Sequence, residues 1–149
     1  MTKKLSAIDD FSAYAKKLET VDLPKIRKLL VKLHSSRSIT QEEVHRVRGE
    51  LNDFCLWVKG ILLSYLSAVI GENPSLPRHL VEAFEVEIAH WDIIHKEVRK
   101  LDLTRPASRK YPRAYIQAVC AQIDRVLNRQ ELHLLIELLV GWKKQRLSA

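Results

Sequence analysis

The sequence is poor in the residues that make turns: its 149 residues include only 4 glycines and 5 prolines. Because glycine and proline supply many of the backbone conformations that turns require, their scarcity predicts few, long elements. A chain of this length can bury about 68–70% of the surface that its unfolded form exposes, so its core needs no disulfide or metal. No repeat or shift in composition divides the chain. We expect a single domain over residues 1–149.

Cysteine is scarce as well. Cys55 and Cys120 both lie within apolar helical patterns, where a cysteine usually behaves as a small buried hydrophobic residue. The N-terminus lacks the continuous apolar core of a signal peptide, since Lys3 and Lys4 are soon followed by an acidic pair. These features are typical of a protein of the reducing cytoplasm.

The motifs that indicate catalysis most directly are missing. The sequence contains no glycine-rich phosphate loop, no Cys-x-x-Cys pair and no serine in the setting of a nucleophile elbow. Polar and apolar residues nowhere alternate over a run long enough for a strand, which favours an all-α fold. We therefore predict a non-enzymatic protein with no cofactor and no metal.

The longest feature that is present runs from Gln41 to Gly71. A capping box, Thr40–Glu43, begins this helix, and Gly71 with the following Asn73 and Pro74 ends it. Apolar residues in steps of three and four form one seam along a helix about 45 Å long. The seam consists of Val44, Val47, Leu51, Phe54, Val58, Ile61, Tyr65 and Ala68. We predict that this is the central helix of a bundle.

Two glycines and one apolar stretch inside this helix require an explanation. Gly49 and Gly60 each cost about 1 kcal/mol relative to alanine, and close approach of a neighbouring helix is the expected reason. Residues 54–71 are apolar except for the charge of Lys59, and their length is at the lower limit for crossing a bilayer. Because the stretch continues without a break into polar turns with the same seam, we predict a buried core helix and no membrane contact.

Shorter amphipathic segments flank the central helix. Ser6 and Asp9 form a capping box for a first helix, and Asp22 with Pro24 begins a second. The last helix is apolar nearly all round, which is typical of a central or partner-covered position. The predicted helices span about 6–19, 22–35, 41–71, 77–101, 112–128 and 129–147. The expected fold is an all-α, single-domain bundle of five to six helices, whose third, fourth and sixth helices supply most of the core.

Positive charge is in excess, with 25 Lys and Arg against 18 Asp and Glu and a net charge of +7. The excess is grouped in Lys25–Arg37, Lys96–Arg113 and the tail from Lys143 to Arg146. Clustered cations neutralise phosphates and release counterions, which gives affinity for nucleic-acid backbone with little sequence preference. Tyrosines in the second group could stack an unpaired base. The predicted nucleic-acid-binding residues are Lys25, Arg27, Lys28, Lys32, Arg37, Arg105, Arg109, Lys110, Tyr111, Arg113 and Tyr115.

This distribution of charge leads to our main prediction. We expect a basic helical protein that contacts the backbone of RNA or DNA, or that serves as a small subunit of a nucleoprotein complex. An irregular segment, Asp102–Tyr111, is predicted to form a mobile loop that carries part of the basic face.

An acidic segment favours a second interpretation. Glu82, Glu85, Glu87 and Asp92, opposed only by Arg78, give residues 78–92 a local charge of −3. Such a surface could meet the basic patch of a second copy, and the apolar last helix could lie in a homo-oligomer interface. The basic face could likewise dock on an acidic protein surface. The alternative function is therefore a helical adaptor, a chaperone or a homo-oligomeric assembly subunit.

A third interpretation concerns Arg27 and His34. Six residues separate them, a spacing that resembles the Arg…His motif of HEPN-type helical ribonucleases. Being seven positions apart, the two residues share one helix face. The resemblance implies that the arginine holds a phosphate while the histidine moves a proton.

Two Glu-x-x-His pairs, Glu42 with His45 and Glu87 with His90, resemble half of the di-iron carboxylate site of ferritin-like bundles. That site also requires a lone inward glutamate on each of two other helices, and the second helix here has none. We therefore expect both pairs to be solvated at the surface.

Overall fold

The computed structural model describes residues 6–128 and 131–148. These residues form helices and short connections, and no strand occurs among them. The α-helices are α1 (Ala7–Lys17), α2 (Leu23–His34), α3 (Gln41–Glu72), α4 (Arg78–Val98), α5 (Pro112–Asn128) and α6 (Leu132–Ser148). The predicted all-α class and the long central helix, α3, are confirmed. The predicted start of the last helix, near residue 129, lies outside the described residues, as do Lys3 and Lys4.

Three of the predicted helix starts, at Ser6, Thr40 and Pro112, are confirmed. The Ser6 hydroxyl accepts a hydrogen bond from the backbone N–H of Asp9, and the Thr40 hydroxyl accepts one from that of Glu43, both at 3.2 Å. Pro112 opens α5, where its missing N–H leaves no helical hydrogen bond unmade. Each of these starts is specified by residues within one turn, which explains why sequence patterns locate them.

The break predicted between the first two helices is absent. The backbone N–H of Leu23 donates to the carbonyl of Leu18, and the π-helical turn Leu18–Asp22 carries α1 directly into α2. Both leucines are buried. In a regular α-helix residues five apart would point about 140° away from each other, and the wider turn lets both face the core. The described chain therefore has one continuous helical segment where we predicted two, and fewer separate segments than the six predicted spans.

Among the described helices, α3 and α4 form the most extensive contact with each other. Trp91, Phe11 and Phe84 are the largest fully buried side chains, and the rings of Phe11 and Phe84 stack with their centroids 4.6 Å apart. At the surface, Lys59 of α3 forms an ion pair with Asp92 of α4 at 2.6 Å. Buried residues of all six α-helices join the same hydrophobic cluster.

The last helix supplies less of this core than we predicted. Of its described side chains, α6 buries Leu132, Leu135 and Leu139, whereas Leu134 and Leu138 are 43% and 49% exposed. The helix before it, α5, buries residues along its whole length. These are Ile116, Val119, Cys120, Ile123, Val126 and Leu127. The prediction of α6 as a main core helix is therefore wrong, and α5 takes that place.

The central helix has one open side, contrary to our prediction of a buried helix. Gly49 and Gly60 lie on this side, since a Cβ built at either would meet nothing within 4 Å. The predicted close approach of a neighbouring helix to these glycines is therefore wrong for the described part of the chain. The apolar side chains of α3 that are 41–56% exposed are Leu56, Trp57, Leu63 and Ile70.

One described helix, α3, is long and apolar enough to cross a membrane by length and composition. Its most apolar window has a mean hydropathy of 1.7, and 22% of that window is buried within the protein. Core helices of soluble proteins pass the same test, so this finding by itself is weak evidence for a membrane.

Candidate nucleic-acid interface

Two helices that are far apart in the sequence, α2 and α5, pack antiparallel. At one end the guanidinium of Arg27 donates to the Asn128 side-chain oxygen at 2.5 Å. Two turns further along α2, the Gln117 side chain donates to the backbone carbonyl of His34 at 3.4 Å. The C-terminal end of α2 therefore lies beside the N-terminal half of α5. This packing brings the basic residues that follow α2 toward those that precede α5.

The outer face of α2 carries three exposed lysines, Lys25, Lys28 and Lys32. Their spacing of three and four residues places them on one side of the helix, opposite the side that is buried in the core. Arg37, in the connection to α3, is exposed as well. None of these four cations forms an ion pair with a carboxylate of residues 6–128 or 131–148.

Arg27 differs from the other predicted cations of α2. It faces α5, where its guanidinium lies 3.8 Å from the Asp124 carboxylate in addition to its hydrogen bond with Asn128. Its side chain is 40% exposed. Because an acidic partner already opposes its charge, Arg27 adds less positive potential to the surface formed by the three exposed lysines of α2 than its sequence position indicated.

The connection between α4 and α5 is held in place by specific hydrogen bonds. The Gln41 side-chain oxygen accepts from the backbone N–H of Leu103 at 2.9 Å. Asp102 accepts from the Thr104 hydroxyl at 2.6 Å and from the Thr104 backbone N–H at 2.9 Å. Ser108 is buried, and its hydroxyl lies 2.8 and 2.7 Å from the carbonyl oxygens of Leu103 and Arg105. The segment predicted to be a mobile loop is thus tied both to itself and to the start of α3.

These contacts act strongly on the carboxyl of Asp102. Hydrogen bonds from Thr104, supported by the Gln41 amide and the nearby charge of Arg48, lower the pKa of Asp102 from 3.8 to about 2. The Arg48 guanidinium lies 3.6 Å from this carboxylate. Asp102 is therefore ionised at neutral pH and fixes the backbone immediately before the basic residues of the loop.

The loop and the first turn of α5 present most of their predicted binding residues to solvent. Arg105, Arg109, Lys110 and Arg113 are exposed, and none of them pairs with a carboxylate of a described residue. The Arg105 guanidinium lies 3.5 Å from the backbone carbonyl of Arg99. The Lys110 ammonium lies 5.6 Å from the centre of the Tyr111 ring. This arrangement leaves cations and an aromatic face accessible together.

The two predicted aromatic residues have different environments. Tyr111 is 65% exposed, so its ring is accessible to a base. Tyr115 is half-buried, and its hydroxyl donates to the backbone carbonyl of Lys100 at 2.8 Å. The ring of Tyr111 is therefore accessible for stacking, whereas Tyr115 holds the end of α4 against α5.

The Arg…His pair lies at a shallow groove between α2 and α5. Arg27 and His34 both line its cavity of about 290 Å³, together with Cys120 and Asp124. The structure thus places both motif residues on the α2 side of the groove, where Arg27 already forms an ion pair with Asp124 and a hydrogen bond with Asn128. Burial raises the pKa of the Cys120 thiol to about 11, which makes this cysteine a poor nucleophile at neutral pH.

The glutamates of the two Glu-x-x-His pairs differ in solvent exposure. Glu42 and His45 are exposed, as we predicted. For Glu87 the prediction of a solvated surface pair is wrong, because this carboxyl is buried with only 5% of its surface exposed. Within the described ranges, no group of three or more His, Cys, Asp or Glu side chains is placed to hold a metal ion.

No protein-family model, curated protein or solved structure matches this chain. Sequence reasoning missed the residues that position the loop, Gln41, Asp102 and Ser108. Asp102-Leu103-Thr104 has the local sequence pattern of an Asx turn, and this pattern could have predicted that the start of the loop is ordered. Nothing in the sequence pairs Gln41 with a loop about sixty positions away.

Proposed function

We propose that this protein is a non-enzymatic, cytoplasmic nucleic-acid-binding protein or the small subunit of a nucleoprotein complex. Its contact surface, the basic face, consists of Lys25, Lys28, Lys32, Arg37, Arg105, Arg109, Lys110, Tyr111 and Arg113. The observation that supports this most is the antiparallel packing of α2 on α5, which joins two basic segments about seventy positions apart. Nucleic-acid backbone is the partner that such unpaired cations suit best.

The composition of the basic face favours a single-stranded or locally unpaired ligand. Exposed lysines and arginines would follow the phosphates, while the exposed Tyr111 ring would stack on a base. Contacts to phosphates position a protein on nucleic acid but carry no sequence information directly. The basic face consists mainly of lysines and arginines that suit phosphate contacts, so we expect little sequence preference.

The test is a titration of labelled single- and double-stranded RNA and DNA at low and moderate salt. Lys25→Gln/Lys28→Gln/Lys32→Gln and Arg109→Gln/Lys110→Gln/Arg113→Gln should each weaken binding. Each should also reduce the slope of log K against log salt concentration by about 2 to 3. Lys16→Gln/Lys17→Gln/Arg78→Gln removes the same charge from exposed positions of α1 and α4 and serves as the matched control. Absence of binding at low salt, or equal losses in all three variants, would refute the proposal.

Replacing Tyr111 separates stacking from charge. Tyr111→Leu should weaken binding to single strands by roughly 1–3 kcal/mol and leave duplex binding nearly unchanged. Tyr115→Phe keeps the half-buried ring and removes only its hydrogen bond to Lys100. A similar loss of single-strand affinity in both variants would indicate that the two tyrosines stabilise the fold and do not contact the ligand.

A second candidate function is a helical adaptor or homo-oligomer subunit. It is favoured by the half-exposed Leu134 and Leu138 of α6, which continue an apolar pattern beyond what the core covers. Light scattering across a hundredfold range of concentration tests it. A strict monomer, with and without nucleic acid, would argue against self-association through α6.

The groove that contains both Arg27 and His34 favours a third candidate, a HEPN-like ribonuclease. If the purified protein cleaves RNA, His34→Ala should abolish that cleavage, whereas His45→Ala should not. Cleavage that survives the His34 substitution would exclude this pair as the active site.

A further inference from the structure

A second and larger cavity, unrelated to the basic face, lies between α4, α5 and the start of α6. Its volume is about 660 Å³, within the range that small-molecule sites occupy in proteins. The polar residues that line it are Glu87, His90, Gln122, Asn128, Glu131 and His133. No described lysine or arginine lines this cavity, although the chain as a whole is strongly basic.

Glu87 is the buried acceptor of this cavity. Its Oε2 accepts a long hydrogen bond of 3.4 Å from the backbone N–H of Glu131, and its buried Oε1 receives none from a described residue. Burial raises the pKa of the carboxyl, and the Glu131 N–H offsets this only in part. The terminal torsion of a glutamate is broad, so a small rotation can turn the free oxygen toward a donor in the cavity. A buried carboxyl of this kind is stabilised by a ligand that supplies N–H groups and positive charge.

The other polar groups favour an organic cation over a metal. The His90 ring is fixed by a contact of 2.8 Å between Nε2 and the Val126 carbonyl, so Nε2 carries a proton and Nδ1 remains a hydrogen-bond acceptor. Glu131 lies at the cavity wall and adds a second carboxylate. Within the described ranges no three ligand groups converge on a metal position. Among the described residues, the cavity therefore combines two carboxyl groups with further hydrogen-bond acceptors and has no three groups placed to coordinate a metal ion.

Apolar side chains line the same cavity. Val86, Ile93 and Leu134 are 68%, 51% and 43% exposed. Half-exposed aliphatic residues around a buried carboxyl suit a ligand with an aliphatic chain and a cationic end.

We propose that this cavity binds an alkyl chain that ends in an ammonium or guanidinium group. Glu87 is the carboxylate partner of the cation, and Val86, Ile93 and Leu134 receive the chain. The same chemistry is present in a free alkylamine and in the lysine or arginine side chain of another protein.

The test uses hexylamine, methylamine, hexanoate and the peptide acetyl-Leu-Lys-Leu-amide as probes, with binding followed by NMR of the full-length protein. Hexylamine should shift the backbone amide of Glu131 and bind more tightly than methylamine, and hexanoate should not bind. A peptide that binds more tightly than hexylamine would identify a protein side chain as the source of the cation. Weaker binding of the peptide would identify a free amine.

Glu87→Gln should reduce hexylamine affinity at least about tenfold, because it removes the charge and keeps the shape. Glu85→Gln, two positions away and exposed, makes the same chemical change outside the cavity and should have no effect. In the wild-type protein, hexylamine should also lower the pKa of the Glu87 carboxyl, which ¹³C NMR measures without any substitution. Equal binding of hexanoate, equal effects of the two variants, or a Glu87 pKa that hexylamine leaves unchanged would each overturn the proposal.

Discussion

Gln41, the first residue of the central helix, hydrogen-bonds to the backbone N–H of Leu103 in the loop between α4 and α5, with 2.9 Å between donor and acceptor. Its amide nitrogen also lies 3.2 Å from the Asp102 carboxylate. One side chain thus connects the start of α3 to the segment that carries Arg105, Arg109, Lys110 and Tyr111 of the basic face. Loss of this side chain should loosen the loop without altering its charge.

The first prediction follows from this contact. Gln41→Ala should destabilise the protein by about 1 kcal/mol, since it leaves the Leu103 N–H without its protein acceptor. Hydrogen exchange of the Leu103 amide should become faster, whereas exchange in α4 should not. Glu42→Ala, at the neighbouring exposed position, is the control for the effect of alanine at the start of the helix. Unchanged exchange at Leu103 would contradict the role that we give to Gln41.

The second prediction concerns acid stability. The pKa of Asp102 is about 2 in the folded protein, below its ordinary value of 3.8. Asp102 therefore contributes stability above its unfolded pKa, and this contribution is lost as the pH falls through the folded pKa. Between pH 5 and pH 2 the wild type should lose more stability than Asp102→Asn does in urea unfolding. Parallel losses in the two proteins would show that Thr104 and Gln41 do not stabilise the ionised form.

The third prediction concerns the open side of α3. Gly60→Ala should stabilise the protein by about 0.4–1 kcal/mol, because a Cβ there meets nothing within 4 Å and alanine is the better helix former. Gly49→Ala should act in the same direction. Thermal and urea unfolding measure the effect. Destabilisation at Gly60 would instead reveal a partner, such as a second copy, that packs closely against this position.

The fourth prediction tests the aromatic centre of the core. Phe11 is fully buried and lies 4.6 Å from Phe84 and 5.3 Å from Tyr65, measured between ring centroids. Phe11→Ala should destabilise the protein by about 3–5 kcal/mol through lost burial and the resulting cavity. The same truncation at the exposed Tyr111 should change the free energy of unfolding by less than about 0.5 kcal/mol. Similar effects at the two positions would place Phe11 outside the core.

The fifth prediction concerns thiol reactivity. Burial raises the pKa of Cys55 to about 12 and that of Cys120 to about 11. Both thiols should therefore react slowly with an aromatic disulfide reagent at pH 8 in the native protein and rapidly in denaturant. Fast reaction of one thiol under native conditions would indicate local opening of its helix.

Much of the fold was predictable because its determinants are local. Capping residues such as Thr40 specify a helix start within one turn, and the three- and four-residue spacing of apolar residues identifies α3 and α4. The π turn was not predictable in this way. Asp22 and Pro24 have the sequence pattern of a helix start, and only the burial of Leu18 and Leu23 against the rest of the protein explains why the chain continues without a break.

The candidate interface was predictable in composition but not in arrangement. The cations of α2 and of the loop follow directly from the sequence, whereas the engagement of Arg27 by Asp124 depends on how α5 packs on α2. The environment of Glu87 was likewise not predictable from the local sequence. Its position in an acidic segment indicated a solvated carboxylate, and only the packing of α4 against α5 and α6 buries it.

The π turn also sets the rotation of α1 relative to α2 about their common helix axis. The ion pair of Asp9 with Lys143, at 2.7 Å, ties α1 to α6, while Arg27 ties α2 to α5. A deletion of one residue between Leu18 and Asp22 would restore a regular α-helix and rotate these two attachment sites against each other by about 100°. Either α1 would leave α6, or the lysines of α2 would turn away from solvent. The number of residues in one turn thus decides which way an entire charged surface faces.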